Sequence, residues 1–258
     1  MIFNYIIFLI SRFFYIVFPK GKTGIFNFLI RLSIKDWKYS YYNVKIVNQN
    51  FKDLTYRLCL GGGYGDFYSL YLKKISEKFI FLDFGSNLGI YSLISNNNPN
   101  CKFILAFDPL PYIKKKIVKN FKLNKVNGIF YNIGIFDKNL KKKLFISKNH
   151  SGASSIIKSK QTSHYVSVVL KNYLFLKKII SKYKENNYVV KIDVEGAEYT
   201  VINELEKSNI LKNTQSVFVE IRNPNLSVKK KKIITQLKKN KFFLKKFIKP
   251  HDYFFTKL

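Results

Sequence analysis

Cysteine, histidine and arginine are scarce in this chain of 258 residues. The two cysteines, Cys59 and Cys101, match no metal-ligand spacing and suggest no disulfide framework, which favours a reducing compartment. The three histidines show no metal-ligand spacing with other residues either. The sequence therefore predicts no structural metal centre and no disulfide-stabilised secreted domain.

Arginine contributes only four of the 46 basic residues, although the formal net charge is +31. Nucleic-acid surfaces rely heavily on arginine, because its guanidinium group binds phosphates and base edges bidentately. Alanine occurs three times, whereas Lys, Asn, Ile, Phe and Tyr abound, a composition typical of AT-rich coding sequence. We therefore interpret most of the charge as codon composition and solvated surface, and do not expect a nucleic-acid partner. Attraction to anionic lipid or acidic polysaccharide stays open.

Residues 2–18, IFNYIIFLISRFFYIVF, are almost entirely apolar. The run is shorter than the roughly 20 residues of a membrane-spanning helix, contains Arg12, and is followed by no small-residue cleavage site. Two interpretations stay open: contact with a membrane surface, or packing on the rest of the chain or on a second copy in a homodimer. We expect a cytoplasmic protein, including the inner face of the membrane as a location.

Strand and helix patterns alternate from residue 79 onward. The runs FIFLDF, KFILAF, GIFYNIGIF, YVVKIDV and SVFVEI are predominantly apolar, as expected of strands buried on both faces of a sheet. Helical patterns separate them, and KFFLKKFI with DYFFTKL predicts a C-terminal antiparallel pair. We therefore predict a doubly wound α/β sheet in residues 53–258, preceded by an apolar cap region in residues 1–52.

A glycine-rich segment, LGGGYGD at residues 60–66, precedes the first of these strands. Its glycines permit a tight turn, and a helical pattern follows. No Gly-Lys-Ser/Thr occurs after it, which excludes a phosphate-binding P-loop. We interpret the segment as a turn that enters a helix.

The first strand ends in a glycine-containing loop with Asp83, Gly85, Ser86, Asn87 and Gly89. Ligands of doubly wound sheets bind at the carboxyl ends of strands, near the point where the strand order reverses. The carboxylate of Asp83 would repel a pyrophosphate, but it suits an ammonium group such as that of S-adenosylmethionine. The GxGxxG pattern of dinucleotide sites is absent. In the structural alternative, the glycines only shape a turn and Asp83 caps a helix.

The second strand ends in Asp108, 25 residues after Asp83. An acidic side chain at this position commonly accepts hydrogen bonds from ribose hydroxyls. Together with the glycine loop, Asp108 therefore predicts a site for an adenosine-containing cofactor.

A second polar cluster, KIDVEGAE at residues 191–198, ends a later strand. Carboxylates so close together repel one another, which favours a functional role for Asp193, with Lys191 as the local cationic partner. Glu195 is either a site residue or a helix cap. His150, in the polar loop NHSGASS, is either a general base or a solvent-exposed loop residue. Of these candidates we prefer Asp193 as the catalytic base.

These segments together resemble the FkbM-type methyltransferase family over residues 79–223. The resemblance rests on FLDFGSNLGIYSL, AFDPLP, SGASS and above all KIDVEGAE followed by VFVEI. It implies a Rossmann-like methyltransferase sheet, mostly parallel with an antiparallel C-terminal strand, and S-adenosylmethionine as the cofactor. It also implies methyl transfer to an oxygen, often a sugar or polyketide hydroxyl.

The resemblance also implies roles for particular residues. Asp83, Gly85, Asn87 and Gly89 match the family's cofactor loop, in which Ser86 replaces the usual alanine. Asp108 matches the ribose-binding acid, usually a glutamate, and so reaches one methylene less far. Asp193 and Glu195 match the second motif, near cofactor and acceptor.

We therefore expect an S-adenosylmethionine-dependent O-methyltransferase that acts on a sugar or polysaccharide hydroxyl. Two other classes stay open. The first is a non-catalytic S-adenosylmethionine-binding protein or a membrane-associated scaffold. The second is a nucleic-acid methyltransferase, although Asn223-Pro224 is only half of the Asn/Asp-Pro-Pro-aromatic motif of base-methylating enzymes and follows the wrong strand.

Overall fold

The computed structural model describes residues 2–17, 28–31, 35–147, 162–183, 186–221, 226–249 and 251–257. Helices in these ranges are α1 (Ile2–Val17), α2 (Leu54–Leu60), α3 (Phe67–Lys74), α4 (Ile90–Asn96), α5 (Pro111–Leu123), α6 (Tyr173–Ile180), α7 (Glu198–Lys207) and α8 (Leu226–Lys239). Short 3-10 turns follow α6 at Ser181–Tyr183 and α7 at Ile210–Asn213.

The strands form one large sheet and two small ones. They are β1 (Trp37–Tyr39), β2 (Lys45–Val47), β3 (Phe79–Phe84), β4 (Cys101–Phe107), β5 (Gly128–Tyr131), β6 (Gly134–Ile135), β7 (Leu140–Ser147), β8 (Thr162–Lys171), β9 (Asn187–Ile192), β10 (Thr214–Glu220), β11 (Phe242–Lys249) and β12 (Asp252–Lys257). The large sheet has the order β11-β12-β10-β9-β3-β4-β5, β6-β8-β7 form a second sheet, and β1-β2 form a hairpin.

The large sheet is mostly parallel. Strands β10, β9, β3, β4 and β5 run in one direction, while β12 is antiparallel to both β10 and β11. From β3 the chain adds β4 and β5 on one side, and later adds β9 and β10 on the other. The strand order therefore reverses between β3 and β9, which is where open α/β sheets bind ligands. The predicted fold class, with its antiparallel C-terminal strand, is confirmed.

The central strands are buried on both faces because helices cover both. Every residue of β3 is buried, and alternate side chains enter two separate cores, as a period of two requires. Phe79 and Phe81 pack with α4, α5 and the N-terminal region, whereas Leu82 packs with α6, α7 and α8. Asp83 lies on the same face as Phe81, so its carboxylate is buried on the side of the sheet that α4 and α5 cover.

The prediction of one strand for GIFYNIGIF is wrong in part. Its first half is β5 of the large sheet, and its second half is β6 of the small sheet. Between them the Asn132 side chain donates hydrogen bonds to the carbonyl oxygens of Asp108 and Leu110 at 2.8 and 3.0 Å. The chain is therefore fixed to the loop after β4 at the point where it leaves the large sheet.

The N-terminal region packs on the same core as the large sheet. Ile7 and Phe8 of α1 are buried in the cluster that contains Phe79 and Phe81. Within the described ranges, no helix combines the length and apolar character that crossing a membrane requires. The division of the chain at residue 52 stays a prediction.

Candidate active site

A cavity opens at the carboxyl ends of β3, β4 and β9, at the switch point of the sheet. Residues from all three predicted clusters line it. They are Gly85, Ser86 and Asn87 after β3, Asp108 after β4, and Asp193 and Glu195 after β9. The small sheet closes one side with the apolar residues Ile135, Leu144 and Leu170. The fold therefore brings together residues that lie as much as 110 positions apart in the sequence.

Gly85 is the point at which two of these loops touch. Its φ is +77°, and an added Cβ would lie 1.7 Å from the carbonyl oxygen of Asp193. The backbone N–H groups of Gly85 and Ser86 both donate to the carbonyl oxygen of Phe107, at 2.9 and 3.0 Å. Only glycine fits this combination of left-handed backbone and close approach.

The loop after β3 is also bonded to Asp108. One carboxylate oxygen of Asp108 accepts from the N–H of Asn87 at 2.9 Å, and the other accepts from its own loop at Leu110 N, 3.0 Å away. Burial raises the pKa of Asp108 to about 6, against the opposing effect of these two N–H donors. Each carboxylate oxygen has two lone pairs, so Asp108 can still accept hydrogen bonds from a ligand.

Asp83 lies beneath the cavity and does not line it. Its side chain is buried, with one oxygen accepting from the Ser92 hydroxyl at 2.7 Å and the other 3.4 Å from the ammonium of Lys191. The sequence predicted that this carboxylate faces a ligand ammonium, whereas the structure gives it a lysine inside the protein. A direct contact between Asp83 and the cofactor stays a prediction.

Lys191 is the charged centre of the site. Its Nζ donates to the carbonyl oxygen of Gly85 at 2.8 Å and lies 3.6 Å from a carboxylate oxygen of Asp193. Burial lowers the pKa of Lys191, but Asp193, Asp83 and Glu220 outweigh burial, so the pKa is raised. A protonated Lys191 therefore connects the loops after β3 and β9.

The KIDVEGAE segment turns sharply after β9. Asp193 lines the cavity, with 24% of its side chain exposed, and its N–H donates to the carbonyl oxygen of Phe84 at 3.0 Å. Glu195, which also lines the cavity, has a φ of +50°, an unusual conformation for this residue. Glu198 begins α7 and accepts from the N–H of Gly196 at 2.6 Å, so it stabilises the turn.

Sequence reasoning missed the aromatic side of the cavity. Tyr64 and Tyr91 both line it, with ring centroids 5.9 Å apart. Burial, with Cys59 and Asp193 nearby, raises the pKa of Tyr64 well above its ordinary value, so the phenol keeps its proton. The turn predicted at residues 60–66 does lead into a helix, α3. Tyr64, the single tyrosine between its glycines, was the only sequence feature of that segment that pointed to an aromatic wall of the cavity.

The structure does not describe the predicted His150, but it places Glu220 near Lys191. His150 and the SGASS segment lie outside the described residues, so the role of His150 stays a prediction. Glu220, at the carboxyl end of β10, is nearly buried and close enough to raise the pKa of Lys191. Within the described part of the chain, no group of His, Cys, Asp and Glu is arranged to hold a metal ion.

The residues of the cavity fit an adenosyl cofactor. Ser86 is buried at its edge, and the described residues provide no hydrogen-bond partner for its hydroxyl. Asp108 supplies a carboxylate suited to hydroxyl donors, and it lines the cavity together with Ser86. Ser86 and Asp108 are therefore the residues that would hold the polar part of the cofactor, between the apolar walls.

Comparisons with known proteins agree with this assignment. The model of the methyltransferase FkbM domain matches residues 83–244. A methyltransferase FkbM from Methylobacillus flagellatus KT is 9% identical, with 73% of this chain and 47% of that one covered and a TM-score of 0.45. This chain therefore spans about half the length of that protein. No curated protein matches the chain.

Two other solved structures are also similar to this chain. TrmK of M. capricolum in complex with S-adenosyl-homocysteine is 14% identical over 73% of this chain and 65% of that one, with a TM-score of 0.39. A ribosomal protein L11 methylase from Lactobacillus delbrueckii subsp. bulgaricus is 11% identical over 74% and 77%, with a TM-score of 0.41. Because these likenesses are weak, the assignment depends on the family match, which covers more than half of the chain. The chain belongs to the FkbM methyltransferase family, and its cofactor is S-adenosylmethionine.

Proposed function

We propose that this methyltransferase transfers the methyl group to a hydroxyl oxygen of a sugar or polysaccharide. The observation that carries the proposal is the position of Asp193, whose partly exposed carboxylate lines the same cavity as Asp108 and the glycine loop. A hydroxyl acceptor needs a group that takes its proton as the oxygen attacks.

The bound cofactor supplies an electrophilic methyl group on a sulfonium. The protein holds the reactants: Gly85 and Asn87 shape the cofactor loop, and Asp108 fixes that loop through the N–H of Asn87. Asp193 accepts the hydroxyl proton through a carboxylate oxygen. Positioning of this kind is the main contribution that a protein makes to an in-line displacement.

The lining of the cavity supports a polyhydroxyl acceptor. Asp193 and Glu195 offer carboxylate oxygens, which accept hydrogen bonds and donate none when ionised. Tyr64 and Tyr91 offer aromatic surface beside them, against which the C–H face of a sugar ring packs. The combination suits a ligand that has both hydroxyl donors and an apolar ring face.

The experiment is transfer of labelled methyl from S-adenosylmethionine to polysaccharide and lipid-linked glycan fractions. We expect alkali-stable label in a glycan, and at least a hundredfold lower turnover in Asp193→Asn with cofactor affinity within about threefold of the unmodified protein. Asp137→Asn is the matched control, because Asp137 is exposed and lies outside the cavity. His150→Ala, measured in parallel, separates the two candidate bases.

Full turnover in Asp193→Asn would show that Asp193 is not the base. Label found in RNA and not in glycan would contradict the proposed acceptor class. Cofactor binding without transfer to any fraction would favour the non-catalytic class.

A further inference from the structure

Helix α1 presents apolar side chains on two opposite faces. Ile7, Phe8 and Ser11 are buried against the rest of the chain, and the Ser11 hydroxyl bonds back to the carbonyl oxygen of Ile7 at 2.7 Å. The opposite face is exposed, and its side chains are Tyr5, Ile6, Leu9, Ile10, Phe13 and Val17. At 3.6 residues per turn these six cover an arc of about 140°.

The amount of exposed apolar surface on α1 exceeds what scattered surface residues give. Exposure runs from 45% at Tyr5 to 61% at Phe13. Six large side chains, each about half exposed, present on the order of 500 Å² of apolar surface, a size typical of interaction sites. The exposed face of α1 is therefore a candidate interaction surface.

We propose that this face of α1 docks on the surface of an anionic lipid bilayer. The helix lies in the plane of the interface, because its 16 residues span about 24 Å, less than the roughly 30 Å of a bilayer core. Apolar and aromatic side chains on one face are the feature that inserts into the headgroup boundary.

Charge favours an anionic partner. The chain carries a net charge of +31, and Lys20 and Lys22 follow α1 in the sequence. Arg12 lies at the edge of the exposed arc, over the ring of Tyr41. The pKa of Lys73 is lowered mainly by burial and also by the nearby charge of Arg12. An arginine at the edge of an apolar face, in a chain of high positive charge, matches the negative potential of anionic lipid.

A second copy of the chain fits this face less well. Stable protein interfaces bury about 800 Å² on each partner, more than α1 offers. Two chains with the same high positive charge also repel each other. Both considerations favour lipid over self-association.

The test is co-sedimentation with vesicles of phosphatidylglycerol mixed with phosphatidylcholine, and with vesicles of phosphatidylcholine alone. The variant Leu9→Glu/Phe13→Glu changes the exposed face. The control Val118→Glu/Leu174→Glu makes the same change of charge at two side chains of similar exposure, on α5 and α6. A second variant, Leu9→Ser/Phe13→Ser, removes the apolar groups without any change of charge. The fluorescence of the single tryptophan, Trp37, reports whether each variant is folded.

We expect binding to the mixed vesicles that weakens with salt, at least tenfold weaker binding by both face variants, and binding within about twofold of the parent protein by the control. Absence of binding by the parent protein, or equal binding by the parent and the folded serine variant, would overturn the proposal. A dimer in solution that the serine variant dissociates would assign the face to a second copy and also overturn it. The assay contains neither cofactor nor acceptor, so its result is independent of the proposed methyl transfer.

Discussion

At several positions of this site, contact between two loops limits which side chain the position can accommodate. Gly85 is the clearest case, because the backbone of the Asp193 loop occupies the space where any side chain would start. Gly89 shares the left-handed backbone, with a φ of +78°, but an added Cβ there would meet only the side chains of Ile117 and Phe121, at 3.1 Å. The two glycines therefore differ in what a methyl group would displace.

We predict that Gly85→Ala loses more than about 2 kcal/mol of unfolding free energy, since a left-handed alanine costs about 1–2 kcal/mol before the clash with Asp193 is added. Gly89→Ala is the matched control, and we expect a smaller loss because side chains can move. Urea unfolding measures both. Equal losses in the two variants would contradict the close contact between the loops.

Asp108 gives the site a pH dependence. Burial raises its pKa to about 6, so the folded chain holds this proton over a pH range in which the unfolded chain, with a pKa of 3.8, has released it. The contribution of Asp108 to stability therefore falls as the pH rises from about 4 to about 6. Protonation would also remove an acceptor for the ribose hydroxyl that we propose Asp108 binds.

We predict that the affinity for S-adenosylhomocysteine decreases as the pH falls through about 6, with Asp108 becoming neutral. Calorimetric titration over this pH range measures the effect. Asp108→Asn should bind weakly and lose the transition. An identical transition in that variant would assign the pH dependence to another group.

Lys191 and Asp83 form a buried ion pair. Removing either partner alone leaves the other as a buried charge without its counter-ion. We predict that Lys191→Met costs about 3–5 kcal/mol of unfolding free energy, and that adding Asp83→Asn to it costs less than the two single changes summed. Urea unfolding of the two single variants and the double variant completes the cycle. Additive losses would show that Asp83 and Lys191 do not stabilise each other.

Elements far from the cavity are tied to it by side-chain amides. Asn120 of α5 is fully buried, accepts from the N–H of Val47 on β2 and donates to the carbonyl oxygen of Leu88 in the cofactor loop, at 2.8 and 2.9 Å. Asn124, one turn later, bonds to the N–H and carbonyl of Lys45. Helix α5 therefore connects the N-terminal hairpin to the cofactor loop through Asn120.

We predict that Asn120→Ala costs about 2–4 kcal/mol of unfolding free energy, because the partly buried N–H of Val47 and the buried carbonyl of Leu88 lose their partner. We also expect weaker binding of S-adenosylhomocysteine, because Leu88 belongs to the cofactor loop. Asn124→Ala is the control, with a loss of stability but little change in affinity. Urea unfolding and calorimetry give the two readouts. A comparable loss of affinity in both variants would contradict a specific link through Asn120.

Elements with a long, uniform pattern could be predicted from the sequence. The apolar runs that became β3, β9 and β10 are almost entirely buried, as is the second half of β4, so the sequence pattern and the burial agree. The break between β5 and β6 could not be predicted, because it depends on bonds from Asn132 to a loop more than 20 residues earlier. The hairpin β1-β2 has only three residues in each strand and is held by α5, so its own sequence contains little signal.

The candidate site was predictable where chemistry follows the end of a strand. Asp108 and Asp193 were found in this way, and both line the cavity. The partner of Asp83 was harder to foresee, because its pairing with Lys191 follows from the parallel register of β3 and β9. Tyr64 was missed because its position depends on the packing of a glycine turn against the sheet.

At the scale of the whole molecule, one edge of the large sheet gathers the functional groups while basic side chains cover much of the chain. The carboxyl ends of β3, β4 and β9 meet at the switch point, and the family match extends from Asp83 to Leu244 across all three. We propose that S-adenosylmethionine binds at this edge of the sheet and that Asp108 recognises its ribose.

Calorimetric titration with S-adenosylhomocysteine measures this binding in the parent protein, in Asp108→Ala, and in Asp137→Ala as a control away from the cavity. We expect micromolar binding by the parent and the control, and at least tenfold weaker binding by a folded Asp108→Ala. Absence of binding by the folded parent protein would exclude the cofactor site, and equal binding by Asp108→Ala would exclude the ribose contact.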